Sequence, residues 1–162
     1  IYMNPTHYPP AELYETGAGT GLFRAERRNP NIKMMDRELR DVTDKEIKRR
    51  GVYEVLLVDR SGNITEGSRS NVFFIRGREV FTSPVSLVLP GVTRGKVIEI
   101  IHKMGLSLHE EAISEKSLSG FEAAFISGTS PEVLPVASVD NTTFDPDNEV
   151  LREIMNNYSQ QE

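Results

Sequence analysis

Four short stretches of this chain hold side chains whose types and spacing can do chemistry. In Ile64-Thr-Glu-Gly-Ser-Arg-Ser-Asn-Val-Phe73 a carboxylate, a glycine and four polar side chains interrupt a β-like run. Glu54-Val-Leu-Leu-Val-Asp59 reads as a buried strand before it, and the apolar run resumes from Asn71 to Ile75. A polar loop anchored by strands at both ends holds its side chains closely enough for catalysis. Taken alone, it reads as an ordinary surface hairpin. Lys33, in Asn31-Ile32-Lys33, offers an amine that becomes a nucleophile when burial or a neighbouring cation favours its neutral form. Most lysines are solvated surface groups, and Lys33 on its own is no exception. Gly91-Val92-Thr93 opens a helical pattern, where exposed N–H groups and a partial positive charge suit a phosphate. Gly91 lets the backbone approach an anion, the Val92 and Thr93 amides and the Thr93 hydroxyl can hold it, and Gly128-Thr129 offers a second amide and hydroxyl. The plain alternative is that Thr93 caps the helix and Gly128-Thr129 is a turn. The run from Gly91 to Val97 is not a nucleotide-binding P-loop, because its spacing is wrong and Val97, not Ser or Thr, follows Lys96. His7, His102 and His109 lack metal-ligand spacing, so no metal site is expected, and Tyr14 and Tyr53 read as packing residues.

These stretches need elements to position them. Prolines and an acidic first turn predict a short helix over residues 9–16, stopped by Gly17. Thr20 to Ala25 alternates like a strand, and Asn29-Pro-Asn31 breaks it just before Lys33. Residues 36–50 read as a largely solvated helix whose charge run needs no functional account. Arg76-Gly-Arg-Glu79 is a hairpin turn, and Ser83-Pro84 ends that part of the sheet. The clearest helix spans Thr93 to Met104, with Val97, Ile98, Ile101 and Met104 on one face and Gly105 as its stop. Leu106 to Ile113 and Ala123 to Ser127 read as strands with a short helix around Glu115 to Leu118 between them, and Val150, Leu151, Ile154, Met155 and Tyr158 stripe a closing helix. Alternating strands and helices give an α/β class.

At 162 residues and 38% hydrophobic the chain suits a single domain with its own core. A net charge of −5, with Lys and Arg scattered, argues against nucleic acid as a partner. The absence of cysteine removes disulfides, thiolate metal sites and a cysteine nucleophile. No apolar run reaches membrane-spanning length, and no leader opens the chain, so no membrane partner and a cytoplasmic location are expected.

In order and spacing, Asn31-Ile-Lys33, Glu66 to Phe73, Leu89-Pro-Gly-Val-Thr-Arg94 and Ile126-Ser-Gly-Thr-Ser130 resemble the class IV aminotransferases, pyridoxal-phosphate enzymes that include branched-chain and D-amino-acid aminotransferases and aminodeoxychorismate lyase. The resemblance runs from about Tyr14 to Val139. It implies an α/β fold with a mixed, partly barrel-like sheet and flanking helices, the larger, cofactor-binding domain of such an enzyme over residues 1–162. The start at Ile1 reads as the start of a fragment, and the resemblance implies a smaller preceding domain that helps hold phosphate and select substrate. By the same resemblance Lys33 forms the Schiff base with pyridoxal phosphate and then moves the substrate's proton, Glu66 pairs with the pyridine nitrogen, and Leu89 packs on the ring. Ser70 and Asn71 fix the loop, and Val92, Thr93, Gly128 and Thr129 hold the phosphate. The implied reaction is transamination between an amino acid and a 2-oxo acid, in a homodimer. The alternatives are elimination of aminodeoxychorismate-lyase type and a non-catalytic remnant that binds phosphate or a partner. Glu38 stands where some members carry a tyrosine against the cofactor's ring hydroxyl, which speaks against the branched-chain branch.

Overall fold

The computed structural model describes residues 8–26 and 37–160. Lys33, with Asn31 and Ile32, lies outside the described residues. In chain order the elements are α1 (Leu13–Thr16), β1 (Ala18–Arg24), α2 (Arg37–Arg50), β2 (Glu54–Val58), β3 (Asn63–Gly67), β4 (Asn71–Arg76) and β5 (Glu79–Thr82). They continue with α3 (Val92–Lys103), β6 (Ser107–Glu110), β7 (Ile113–Ser114), β8 (Ala123–Gly128), β9 (Glu132–Val139), β10 (Thr142–Thr143) and α4 (Glu149–Gln160). Among the described residues these strands form one sheet in the order β6-β5-β4-β8-β9-β1-β2-β3-β7, with β10 on β9. β1 runs parallel to both of its neighbours and β5 parallel to β6, while the other pairs are antiparallel. The result is the expected mixed, curled, partly barrel-like sheet with helices beside it.

Strand periodicity divides the core between the two faces of that sheet. Along β4 and β8, Val72, Phe74, Ala124 and Ile126 join one buried cluster with Leu56, Val58, Ile64 and Val136. Phe73, Ile75, Ala123 and Phe125 point the other way, into a second cluster with Val97, Ile100 and Ile101 of α3 and Val150, Leu151 and Ile154 of α4. In this second row Ile75 lies opposite Ala123, Phe73 opposite Phe125 and Asn71 opposite Ser127. The Phe73 and Phe125 rings stack 4.8 Å apart. The apolar row therefore turns polar at its last pair, Asn71 and Ser127, at the end of the sheet beneath the start of α3. Arg94, 5% exposed, secures that start: its Nη2 donates to the Ser83 carbonyl at 3.0 Å and to Glu110 Oε1 at 2.8 Å.

Several expectations shift in detail. β3 runs on to Gly67, so Glu66 is a strand residue and the polar loop shrinks to Ser68, Arg69 and Ser70. Leu106 to Ile113 is not one strand, because Glu111 and Ala112 separate β6 from β7. The short helix after it is a 3₁₀ helix, Glu115–Gly120. Sequence patterning missed β9, where Pro135 interrupts the strand signal. Pro135 is tolerated because the parallel ladder with β1 begins one residue later, at Ala18↔Val136, so the missing N–H costs no bond there. The largely solvated helix is α2, with only Thr43 buried, and Arg49 and Arg50 hold the Glu46 carboxyl below the usual range by hydrogen bonding.

Candidate active site

A cavity of about 350 Å³ opens between the β3–β4 loop, the end of β8 and the start of α3. Eight expected site residues, Glu66, Ser70, Asn71, Leu89, Val92, Thr93, Gly128 and Thr129, all line it. They come from three separate parts of the chain. Lys33 is the ninth expected residue and lies outside the described residues.

One wall is built of acceptors held from behind. Glu66, the next-to-last residue of β3, is 2% exposed, and its Oε1 accepts the Leu89 N–H at 3.2 Å. Asn71 Nδ2 donates to the Leu89 carbonyl at 3.1 Å. Leu89 is thus gripped at both backbone groups, which fixes its side chain at the cavity. A buried carboxylate is expensive to keep unless hydrogen bonds compensate it, so such a group in a cavity wall is a strong lead to function.

The opposite wall is built of donors. Gly91, in extended conformation at φ −71° and ψ 152°, is the N-cap of α3, and no side chain caps the helix. Thr93 lies inside the first turn, 8% exposed, so the reading of Thr93 as a cap does not hold. The first amides of a helix have no carbonyl within it to bond, and here they border the cavity. Gly128 ends β8 and Thr129 follows it on the rim. Both glycines keep this wall tight: a Cβ on Gly91 would lie 3.0 Å from Asn71 Oδ1, and one on Gly128 3.2 Å from the Arg69 carbonyl.

Arg40, Ser68, Arg69 and Ser127 also line the cavity and were not among the expected site residues, and so does Gly91, expected only to let the backbone approach an anion. Arg40 gives α2 a place at the site that its charge pattern concealed. Arg69 reaches Asp44 on the same helix at 2.6 Å. Ser127 is fully buried, and its hydroxyl has no hydrogen-bond partner among the described residues. The one signal for it is the alternation Ala123, Phe125, Ser127, which puts it on the same face of β8. Tyr53, beside the site, has its hydroxyl pKa pushed up by burial and secondarily by the charge of Glu54.

The donor set fits pyridoxal phosphate: a buried carboxylate for a ring N–H, a half-buried leucine for a ring face, helix-start amides and hydroxyls for a phosphate, and an unsatisfied serine between them. The cavity falls in the usual size range for small-molecule sites.

The chain is similar to known aminotransferases. D-alanine aminotransferase of Bacillus licheniformis is 38% identical over 92 residues, 56% of this chain and 32% of that protein. Branched-chain-amino-acid aminotransferase of Escherichia coli K12 is 38% identical over 96 residues, 59% of this chain and 31% of that protein. The crystal structure of the Escherichia coli branched-chain enzyme superposes with a TM-score of 0.80 at 27% identity, covering 90% of this chain and 52% of that one. The matched stretches thus span about a third of the curated relatives' length, and the superposed region about half of the solved structure. The family model for amino-transferase class IV matches residues 1–139, and the chain belongs to that family.

Proposed function

We propose that this chain is the larger, cofactor-binding domain of a pyridoxal-phosphate-dependent transaminase, acting between an amino acid and a 2-oxo acid. The observation that carries the proposal is the single cavity with a buried carboxylate on one wall and helix-start donors on the other. When bound, pyridoxal phosphate supplies a protonated ring that takes up the electron pair left at an amino acid's Cα. Glu66 accepts the N–H of the ring nitrogen and so keeps the proton there. Thr93, Thr129 and the amides at Val92 and Gly128 orient the phosphate, and Leu89 backs one ring face and excludes water from it. Ser70 and Asn71 hold the loop and Leu89 in place. Lys33 is assigned the covalent attachment and then the movement of the substrate Cα proton, a role that rests on the sequence resemblance. A homodimer accompanies this reading and rests on the same resemblance; among the described residues, no helix is long and apolar enough to cross a membrane.

The test is spectroscopic. The intact protein with pyridoxal phosphate is expected to show a bound-cofactor absorbance band that changes to the amine form of the cofactor on adding an amino acid and returns with a 2-oxo acid. Borohydride followed by peptide mapping should label Lys33. Release of pyruvate from aminodeoxychorismate without amine transfer would select elimination instead, and no band at all would leave a binding module. Label on another lysine would remove Lys33 from its role.

A further inference from the structure

Glu54, the first residue of β2, is 4% exposed and does not line the cavity. Its carboxylate nevertheless collects four neutral donors. Oε1 accepts the Val55 N–H at 2.9 Å and the Ser68 hydroxyl, and Oε2 accepts the Arg69 N–H at 3.0 Å and the Ser70 hydroxyl at 2.9 Å. Three of these donors belong to Ser68, Arg69 and Ser70, the residues that join β3 to β4, and all three line the cavity. The loop also closes on itself, with Gly67 N–H to the Ser70 carbonyl at 2.8 Å, and is tied to β2 by Ser68 N–H to the Val55 carbonyl at 3.1 Å. A Cβ on Gly67 would overlap the Ser70 hydroxyl and stand 2.8 Å from Glu54 Oε2, so the loop wraps the carboxylate as tightly as a glycine permits.

The pattern of donors specifies a carboxylate and not merely a polar side chain. Each oxygen takes one serine hydroxyl, which can reverse to accept, and one backbone N–H, which cannot. An amide in the same place would set its NH₂ against Val55 N–H in one orientation and against Arg69 N–H in the other. Either way a buried donor loses its acceptor, a loss that costs more than a typical hydrogen bond contributes.

We propose that Glu54 is a positioning residue of the active site. It holds the Ser68–Ser70 loop, whose two ends carry Glu66 and Asn71, and thereby sets the angle at which the Glu66 carboxylate meets the ring nitrogen and the grip of Asn71 on Leu89. The proposal rests on the cofactor function assigned above for its consequence, and on the loop geometry alone for its cause.

Glu54→Gln in the intact protein tests both parts. In cofactor-free protein, amide hydrogen exchange over residues 64–72 should speed up in the variant while β8 and α3 keep wild-type protection; unchanged exchange in this segment overturns the proposal whatever the cofactor does. With saturating pyridoxal phosphate, kcat should fall about 10²-fold, the effect of a small misplacement of a reacting group, with KM changed less and the bound-cofactor absorbance maximum shifted. Ser68→Ala should slow the wild type but add little in the Glu54→Gln background, because both act through one loop. Wild-type kcat and spectrum in Glu54→Gln, or additive losses in the double variant, would show Glu54 to be a structural core residue. If the wild type shows no cofactor band while the loop still loosens in the variant, the functional reading fails and the positioning of the loop stands.

Discussion

At one end of the cavity Glu66 is only 2% exposed and tied to the Leu89 amide, while at the other Val92 is 72% exposed, Thr129 lies on the rim and no side chain caps the helix. The first wall is rigid because two strands and a buried carboxylate hold it from behind. The second consists of a helix start and a strand end, open to solvent and rich in donors. A ligand laid across the two must present a donor to the first and an anion to the second, which fixes its direction in the cavity. The contrast also separates tasks: the closed wall sets geometry where charge must be placed, and the open wall contributes affinity through charge-assisted hydrogen bonds.

Breaking the closed wall should have the largest effect. Glu66→Ala is expected to lower kcat at saturating pyridoxal phosphate by about 10³-fold, the scale for loss of a preorganised electrostatic partner, while the phosphate still binds. Steady-state turnover of the intact protein measures this, and near-normal turnover would mean that the ring nitrogen faces another group.

The open wall should respond in the opposite sense. Thr93→Ala removes one hydroxyl from the phosphate's donors and should weaken cofactor affinity about 10- to 100-fold, the equivalent of one hydrogen bond to a charged group. Turnover at saturating cofactor should change far less. A fluorescence titration beside saturated kinetics separates the two, and a loss confined to kcat would erase the division between walls.

Ser127, between the walls, sharpens the comparison with a smaller effect. Its buried hydroxyl has no partner among the described residues, so Ser127→Ala should leave the melting temperature of cofactor-free protein unchanged or slightly raised. The cofactor's added stabilisation should shrink by roughly 1 kcal/mol if the hydroxyl bonds to the ligand. Equal melting shifts on cofactor addition in wild type and variant would place Ser127 outside the site.

How much of this was legible in the sequence depended on how local each signal is. α3 was readable because Val97, Ile98, Ile101 and Met104 repeat at helical spacing, and its ends moved by one residue each, from Thr93 to Val92 and from Met104 to Lys103. The stretch around Glu66 drew notice by its composition, but polarity disguised the fact that Glu66 lies within β3, which runs on to Gly67. β9 escaped because Pro135 contradicts a strand locally, and its tolerance depends on where the ladder with a strand more than a hundred residues away begins. Arg40 and Ser127 escaped for a related reason: one sits in a helix whose charges resemble any solvated face, and the other ends a row whose apolar members explain themselves. Glu54 looked like the edge of an apolar strand. The four donors that give it meaning include three that arrive from residues 68–70 only after the chain has turned back.

The position of β1 between β2 and β9 has a consequence for how the protein is made. Thr20 on β1 reaches the Ser138 carbonyl on β9 across 118 residues of sequence, and that side of β1 pairs with β9. At ribosomal rates of about 5–20 residues per second, roughly 6–24 s separate synthesis of the two strands. Once β2 has been made it can pair with β1, but the far edge of β1 stays open, a row of unmatched N–H and C=O groups of the kind that recruits strands from other chains. Long-range parallel pairing is also slow to form once both partners exist. Shielding this nascent edge until residues 132–139 emerge therefore favours folding over strand exchange between chains.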